Sequence, residues 1–238
     1  MIAVDGPAGS GKSTAARGVA RALGLRYLDT GSTYRALTWW LLSRGVDVSE
    51  PDAVIADLGR PVIEVGTDPA APAIRVDGMD VAGPIRTRAV SNAVSAVASI
   101  PQVRRHLVAM QQAVIADALA AGDGIVAEGR DIGTVVAPDA PVKVYLTASE
   151  TVRARRRTAD LAADPGATVA VTRAEQARRD SSDAPQMAKA ADAVEIDTTG
   201  LDLDEVVGAI LGLADGAHPA GRAPRTPPLS RKAGAWTS

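Results

Sequence analysis

The chain has 238 residues, of which 46% are hydrophobic and 23% are charged, and it contains no cysteine. This composition is typical of a globular protein and excludes disulfide bridges, thiolate metal sites and a cysteine nucleophile. The two histidines, His106 and His218, are far apart in the sequence, which argues against a histidine-based zinc site. No apolar run approaches the ~20 residues that a membrane helix needs, so we expect a cytoplasmic protein with no membrane partner.

The charge is distributed unevenly along the chain. The net charge is −2, yet residues 216–238 carry four basic residues and no acidic ones, which leaves a net charge of −6 on residues 1–215. An acidic body lacks the basic stripe that duplex binding needs, so no nucleic-acid partner is expected. Prolines, glycines and basic residues without periodicity predict a disordered tail over residues 216–238.

Short apolar runs alternate with helical patterns, which predicts an α/β fold with a mainly parallel sheet. The predicted strands cover residues 2–4, 27–28, 124–127, 142–146 and 193–196. The predicted helices cover residues 13–23, 34–42, 86–99, 101–121, 148–163, 172–179 and 203–213.

Residues 46–85 have a different character. Five prolines punctuate short β-like pieces at 62–65 and 73–76, and the second piece is followed by Asp77-Gly78, a typical hairpin turn. We therefore expect a small antiparallel insertion beyond the main sheet.

A glycine-rich motif follows the first strand, because residues 6–14 satisfy the pattern G-x-x-x-x-G-K-[ST]. Such a loop can turn its backbone N–H groups around phosphate oxygens, and the helix that begins near Lys12 directs its positive end at the same anion. Lys12 can bridge the β- and γ-phosphates, and the Ser13 hydroxyl can ligate Mg²⁺. The predicted ATP-binding residues are Gly6, Pro7, Ala8, Gly9, Ser10, Gly11, Lys12, Ser13 and Thr14.

The motifs of other P-loop classes are missing from the sequence. A translation-type GTPase needs a guanine-reading N-K-x-D motif, and an ABC-type or motor ATPase needs an apolar strand ending in Asp-Glu; neither occurs. Polar clusters with arginines follow the strands instead, at 29–35 and 128–134, and four arginines (153, 155, 156 and 157) share one predicted helix. This arrangement is typical of small-molecule kinases, which hold two anionic substrates phosphate to phosphate. A surface ion pair or a solvated basic face is the alternative for these arginines.

Several segments together resemble the bacterial cytidylate kinases, a family of P-loop nucleoside monophosphate kinases. The resemblance extends over roughly residues 1–213 and is carried by Val4-Asp5-Gly6-Pro7, Asp29-Thr30-Gly31, Tyr34-Arg35, Ile85-Arg86-Thr87, residues 128–134 and residues 138–143. It implies a three-layer α/β fold with a central parallel sheet, an enlarged NMP-binding insertion and an arginine-rich lid. The implied domain is 1–215, with its core at 1–45 and 101–215, the insertion at about 46–100 and the lid at about 149–170.

The activity that the resemblance implies is transfer of the γ-phosphoryl group of Mg-ATP to CMP or dCMP, in a monomer. Cytosine offers an N4 amino donor and the acceptors N3 and O2, so its reader needs a carboxylate together with hydroxyl or guanidinium donors. By similarity, Asp131, Ser95 and Arg104 hold those positions. The other implied CMP-binding residues are Thr30, Tyr34, Arg35, Arg130, Arg179 and Asp183. The implied catalytic residues are Lys12, Arg153, Arg156 and Arg157, with Ser13 as the magnesium ligand.

The sequence departs from the family in one place. Residues 179–183 run directly into Ala184-Pro185, and a further phosphate-binding arginine of the family has no counterpart here. Lys189 or a lid arginine is the candidate substitute. Two other functions are the alternatives: a regulatory P-loop protein with weak or no kinase activity, and a kinase for another small acceptor.

Overall fold

The computed structural model describes residues 1–160, 168–184 and 187–216. The expected tail, from residue 217 on, and residues 161–167 of the expected lid lie outside this described part. Within it, no helix combines the length and the apolar character needed to cross a bilayer.

The order of the elements alternates strands and helices, as the sequence predicts. The strands are β1 (Ile2–Asp5), β2 (Arg26–Asp29), β3 (Ile63–Val65), β4 (Ile74–Val76), β5 (Met79–Asp80), β6 (Ile125–Glu128), β7 (Val142–Thr147) and β8 (Val194–Asp197). The α-helices are α1 (Lys12–Leu23), α2 (Thr30–Ser43), α3 (Pro51–Asp57), α4 (Arg88–Ser99), α5 (Pro101–Ala120), α6 (Glu150–Asp160), α7 (Val169–Asp183) and α8 (Leu203–Gly216). A 3₁₀ turn (Pro84–Arg86) precedes α4, and a π-helix (Ile132–Val136) follows β6.

The central sheet has five parallel strands in the order β2-β6-β1-β7-β8. Alternate residues of β1 serve opposite faces, because side chains along a strand have a period of two. Ile2 and Val4 pack with α1 and α8, whereas Ala3 packs with α5 and the π-helix on the other face. Both faces are covered, so β1 is fully buried. The expected three-layer α/β fold is confirmed.

A second sheet, of the order β3-β4-β5, is antiparallel. Asp77 and Gly78 connect its last two strands with φ of 52° and 79°, the left-handed pair that a two-residue hairpin turn requires. This sheet packs on α2, α4 and the start of α5 through a core of its own, which includes Leu41, Ile74 and Leu107. The expected small antiparallel sheet therefore forms.

Two expected helices are longer than their patterns indicate. Helix α2 begins at Thr30 rather than at residue 34, because the Asp29 carboxylate accepts the Ser32 N–H at 2.9 Å and caps it. Helix α7 continues to Asp183 rather than ending at 179, and the hydroxyls of Ser181 and Ser182 bond to carbonyls one turn earlier.

Two helical segments were not predicted at all. Helix α3 occupies part of residues 46–85, where only short β-like pieces were expected. Pro51 is in its first turn, and the side chain of Val54 is buried against the small sheet. The π-helix lies within residues 128–134 and just beyond, where the sequence shows only a polar cluster after a strand.

Leu107 tests whether the second core stabilises the fold. Leu107→Ala removes a fully buried side chain of α5, and we expect the free energy of unfolding to fall by about 2–5 kcal/mol in urea denaturation. Leu119→Ala is the matched control, because Leu119 lies on the same helix and is 47% exposed. The control should change stability by no more than ~0.5 kcal/mol. Equal losses in the two variants would contradict this account of the core.

Candidate active site

The glycine-rich loop connects β1 to α1, at the end of the sheet where the strand carboxyl ends meet. Gly6 has φ +144°, and a Cβ there would lie 2.1 Å from the carbonyl oxygen of Leu146 on β7. Gly9 and Gly11 also have positive φ, of 79° and 90°. Only glycine fits this backbone, which leaves the loop close to β7 and open toward the cavity above it.

A cavity of about 990 Å³ extends from this loop to α2, the small sheet, α6 and α7. Its volume is at the upper end of the range for small-molecule sites. Nine of the sequence-predicted cationic or hydroxyl-bearing side chains line it: Ser10, Lys12, Ser13, Thr14, Arg35, Arg130, Arg156, Arg157 and Arg179. The structure therefore brings together groups that are up to 169 positions apart in the sequence.

Glu128 lies at the loop side of this cavity and was not among the predicted site residues. Its Oε1 accepts hydrogen bonds from the Ser13 hydroxyl at 2.6 Å and from the Tyr27 hydroxyl at 3.0 Å. Burial and the charge of Asp29 raise the pKa of Glu128 to about 7, against the opposing charge of Lys12. Its position directly after a predicted strand, at residues 124–127, is the signal that could have identified it.

Lys12 donates to the carbonyl of Pro7 at 2.9 Å. Burial lowers the pKa of Lys12 to about 8, and the charge of Glu128 partly offsets this effect. An anion placed next to the Lys12 ammonium would favour its charged form, since it would replace the solvation that burial removes.

Three arginines from three helices form a cluster on the far side of the cavity: Arg35 on α2, Arg157 on α6 and Arg179 on α7. Arg35 and Arg157 both donate to the Ser91 hydroxyl, at 3.0 Å and 3.4 Å. The Nε of Arg179 is buried with no hydrogen-bond partner among the described residues. Burial, together with the charges of Arg179 and Arg157, lowers the pKa of Arg35 to about 9. Repulsion of this kind favours an anion at the centre of the cluster. Ser91, which joins two of these arginines, was missed in the sequence.

Asp131, Arg104 and Tyr34 form a second polar group, and none of the three is among the residues that line the cavity. The Asp131 carboxylate forms an ion pair with Arg104 of α5. Burial and the charge of Asp131 raise the pKa of Tyr34 to about 12, so the Tyr34 hydroxyl keeps its proton at neutral pH. The hydroxyls of Tyr34 and Ser95 are both buried with no hydrogen-bond partner in the part of the chain that is described. Each of these hydroxyls can therefore donate a hydrogen bond to a bound ligand.

The remaining predicted residues make contacts within the protein. Arg130 pairs with Asp183 at 2.8 Å. Thr30 is buried, and its hydroxyl donates to the carbonyl of Glu128 at 2.8 Å, which joins α2 to β6. Arg153 is only 8% exposed and does not line the cavity: it donates to the Ala8 carbonyl at 3.1 Å and pairs with a carboxylate of α7.

Arg156 lies between the loop and the strand β8. Its guanidinium donates to the hydroxyl of Thr198 at 2.9 Å and to the carbonyl of the same residue at 2.8 Å. The Thr198 hydroxyl in turn donates to the carbonyl of Ser10. Arg156 and Arg157 therefore face the cavity from α6, whereas Arg153, on the same helix, joins the helix to the loop.

The fold and the cavity define a P-loop protein with a second cationic cluster beside its P-loop. The sequence matches the family model described as cytidylate kinase over residues 2–215. It is 49% identical over 220 residues to the cytidylate kinase of Streptomyces griseus, an alignment that covers 91% of this chain and 93% of that protein. The cytidylate kinase of Rhodococcus opacus is 48% identical over 217 residues, which covers 89% and 93%. The chain belongs to the cytidylate kinase family, a family of phosphotransferases that act on CMP.

Among solved structures, a sugar kinase from Janibacter sp. HTCC2649 aligns at 17% identity with a TM-score of 0.44, covering 90% of this chain and 93% of that one. This TM-score is too low to equate two folds. The assignment of the fold depends instead on the strand order and the P-loop described above.

Inorganic phosphate tests the arginine cluster without any nucleotide. We expect phosphate to raise the Tm of the wild-type protein; at ten times its Kd, the stabilisation is about 1.4 kcal/mol. Arg35→Met removes one charged donor, so the phosphate concentration needed for half of this shift should rise by about tenfold or more. The shift should weaken rather than vanish, because the P-loop also binds phosphate.

Arg105→Met is the control for this experiment, since Arg105 is an exposed arginine of α5 that does not line the cavity. It should respond to phosphate as the wild-type protein does, at matched ionic strength. An unchanged phosphate response in Arg35→Met would show that the cluster is not an anion site.

Proposed function

We propose that the chain transfers the γ-phosphoryl group of Mg-ATP to the phosphate of CMP or dCMP, giving ADP and CDP or dCDP, with the residue roles set out below. One observation supports it above the others: a P-loop and a separate arginine cluster face each other across one cavity, in a chain of the cytidylate kinase family. A nucleotide kinase needs two anion-binding sites that face each other, because the phosphates of the donor and the acceptor must meet between them.

The P-loop, residues 6–14, is the proposed donor site. Its backbone N–H groups and the start of α1 bind the phosphates of ATP, and Lys12 bridges the β- and γ-phosphates. The lowered pKa of Lys12 supports this role, because the ammonium lacks full solvation until an anion approaches it.

Mg²⁺ fits the oxygen donors beside Lys12. The Ser13 hydroxyl and the buried Glu128 carboxylate lie 2.6 Å apart at the entrance to the P-loop. Mg²⁺ prefers hard oxygen ligands and takes only one or two from the protein, keeping waters and substrate phosphates for the rest. We propose that the Ser13 hydroxyl would ligate the metal. The Glu128 carboxylate would accept hydrogen bonds from the water molecules bound to the metal. When bound, the metal neutralises charge on the β- and γ-phosphates.

The proposed acceptor site begins at the arginine cluster. Arg35 and Arg130 hold the CMP phosphate, and Arg179 and Asp183 lie near the sugar. Arg157 is the proposed substitute for the arginine that the sequence lacks, because it shares the Ser91 hydroxyl with Arg35. Lys189 is a poor substitute, since its ammonium pairs with Glu195 at 2.8 Å.

Cytosine is the base that complements the group around Asp131. The Asp131 carboxylate accepts from the N4 amino group, whereas uracil presents an oxygen at that position and would be repelled. The proposed hydrogen-bond donors to N3 and O2 of cytosine are Arg104, Ser95 and Tyr34. The unpartnered hydroxyls of Ser95 and Tyr34 support this assignment. Thr30 has a structural role in this proposal, because its hydroxyl donates a hydrogen bond to the backbone carbonyl of Glu128.

Phosphoryl transfer to CMP requires that the two substrates are positioned in line and that positive charge surrounds the transferred group. It requires no strong base, because the acceptor is an ionised phosphate. Lys12, Arg156 and Arg157 offset the charge that develops on the transferred group. Arg153 has a positioning role in this proposal: it joins α6 to the carbonyl of Ala8 and so holds the lid helix over the P-loop.

We further propose that the protein works as a monomer in the cytoplasm, where Mg-ATP is made and used. The regulatory alternative is not favoured, because Lys12, Ser13 and the whole of the segment 128–134 are present, and a kinase for another small acceptor is not favoured by the relatives.

A coupled ADP-release assay with CMP, dCMP, UMP, AMP and GMP tests the proposal. We expect turnover with CMP and dCMP and little with the other nucleotides. In Asp131→Ala the preference for CMP over UMP, as a ratio of kcat/KM, should fall by about 10- to 100-fold while ATP binding is retained. The control is Asp139→Ala, an exposed aspartate just after the π-helix. Absence of turnover with every acceptor, despite tight ATP binding, would favour the regulatory alternative.

Arg156 tests the role of the lid helix in the transfer itself. Arg156→Ala should lower kcat by about 100-fold and change the KM for CMP far less, because the interaction forms with the transferred group. Arg155→Ala on the same helix is the matched control, since Arg155 is exposed, and it should keep the wild-type kcat. Equal kcat values for the two variants would make these arginines a solvated basic face.

A further inference from the structure

Asp5 ends β1, directly before the P-loop, and its carboxylate contacts the π-helix that follows β6. It is 5% exposed. Its Oδ1 accepts the N–H of Ile132 and its Oδ2 accepts the N–H of Gly133, both at 2.8 Å. Both oxygens of a buried carboxylate are thus used to hold two consecutive backbone groups 127 and 128 positions further along the chain.

These two N–H groups belong to the first turn of the π-helix. Within that helix, the carbonyl of Asp131 accepts from Val135 and Val136, at 2.8 Å and 3.2 Å. The N–H groups of the first turn have no partner inside a helix and need one from outside. Asp5 supplies it for both, so the helix begins where the Asp5 carboxylate lies.

The other end of the π-helix is held from α5. The side-chain amide of Gln112 donates to the carbonyl of Val136 at 3.2 Å. The segment also packs closely along its length: a Cβ at Gly133 would lie 3.4 Å from the Asp5 carboxylate and 3.2 Å from the Lys143 side chain. π-helices are rare and are found mostly at functional sites, which fits a segment fixed at both ends.

Asp131 is the residue that precedes this helix. Its side chain is oriented by the ion pair with Arg104, and its backbone is continuous with the groups that Asp5 holds. Without the Asp5 contacts, Asp131 would keep its ion pair with Arg104, but the backbone directly after it would lose two hydrogen bonds. The position of the Asp131 carboxylate therefore depends on two separate contacts, one to its side chain and one to the backbone that follows it.

We propose that Asp5 is a positioning residue for selection of the acceptor base: by holding the π-helix, it fixes the Asp131 carboxylate where the base binds. This inference rests on the proposed role of Asp131 as the reader of the cytosine amino group. Burial, with the nearby charge of Asp131, raises the pKa of Asp5, and the two backbone bonds act against that rise. A buried acid beside a second acid is costly in stability, which argues that its contacts serve more than packing.

The test is Asp5→Asn, which preserves size and removes one of the two acceptors. One amide of the π-helix then faces a side-chain NH₂ group and loses its partner. We expect the ratio of kcat/KM for CMP over UMP to fall by about tenfold, mainly through a higher KM for CMP, because a buried N–H without a partner costs roughly this much. The Kd for ATP should stay at the wild-type value.

Asp77→Asn is the matched control. Asp77 also accepts two hydrogen bonds, from the indole of Trp40 and the N–H of Val62, but it lies in the hairpin turn of the small sheet. It should lose stability without losing the preference for CMP. A loss of stability in Asp5→Asn with an unchanged CMP-to-UMP ratio would make Asp5 a structural residue and overturn the inference.

Asp131→Ala, measured alongside, separates the two hypotheses. If it leaves the ratio unchanged, the proposed base reader fails, and the role inferred for Asp5 fails with it. If it lowers the ratio while Asp5→Asn does not, only the inference about Asp5 fails. Should Asp5→Asn not fold, Gln112→Ala decides, because Gln112 is exposed and releases the other end of the π-helix. A lower CMP-to-UMP ratio in that variant supports the inference, and an unchanged one overturns it.

Discussion

Three carboxylates lie at the carboxyl ends of adjacent parallel strands; Asp29 and Glu128 line the cavity, whereas Asp5 contacts the π-helix. Asp29 of β2 is in register with Glu128 of β6, and Glu128 is in register with Val4, the residue before Asp5. Burial raises the pKa of both Asp5 and Glu128; the charge of Asp131 adds to the rise at Asp5, and the charge of Asp29 adds to the rise at Glu128. Different donors stabilise the three: backbone N–H groups for Asp5, hydroxyls for Glu128, and a helix N-terminus for Asp29.

The helices place the opposite charge on the far side of the same cavity. The guanidinium groups of Arg35, Arg157 and Arg179 come from three helices that the sheet order brings together. A phosphate with a divalent cation would complement both sides at once, because the carboxylates attract the cation and the guanidiniums attract the phosphate oxygens. In the proposed function, charge accounts for the choice of a phosphorylated ligand, and Asp131 with the donors around it accounts for the choice of base.

Local sequence signals were sufficient for the P-loop, for the five strands of the central sheet and for the hairpin turn at Asp77. They were insufficient wherever the structure depends on strand order. The bond from Ser13 to Glu128 joins residues 115 positions apart, and it exists because β6 lies next to β1, which no strand pattern encodes. The π-helix is a similar case: Ile-Gly-Thr-Val-Val suits a strand by propensity, and it adopts a helix because Asp5 and Gln112 satisfy its ends.

The unexpected length of α7 places four polar side chains on one face of that helix. Residues 176, 179, 180 and 183 follow a helical spacing of three and four, so they share one face. Through that face Gln176 reaches the carbonyl of Arg153, Asp180 pairs with Arg153, and Asp183 pairs with Arg130. A helix ending at 179 would not hold the two aspartates in place. Because they are held, α6 stays beside the P-loop and presents Arg157 to the arginine cluster, which is the position that the proposed role of Arg157 requires.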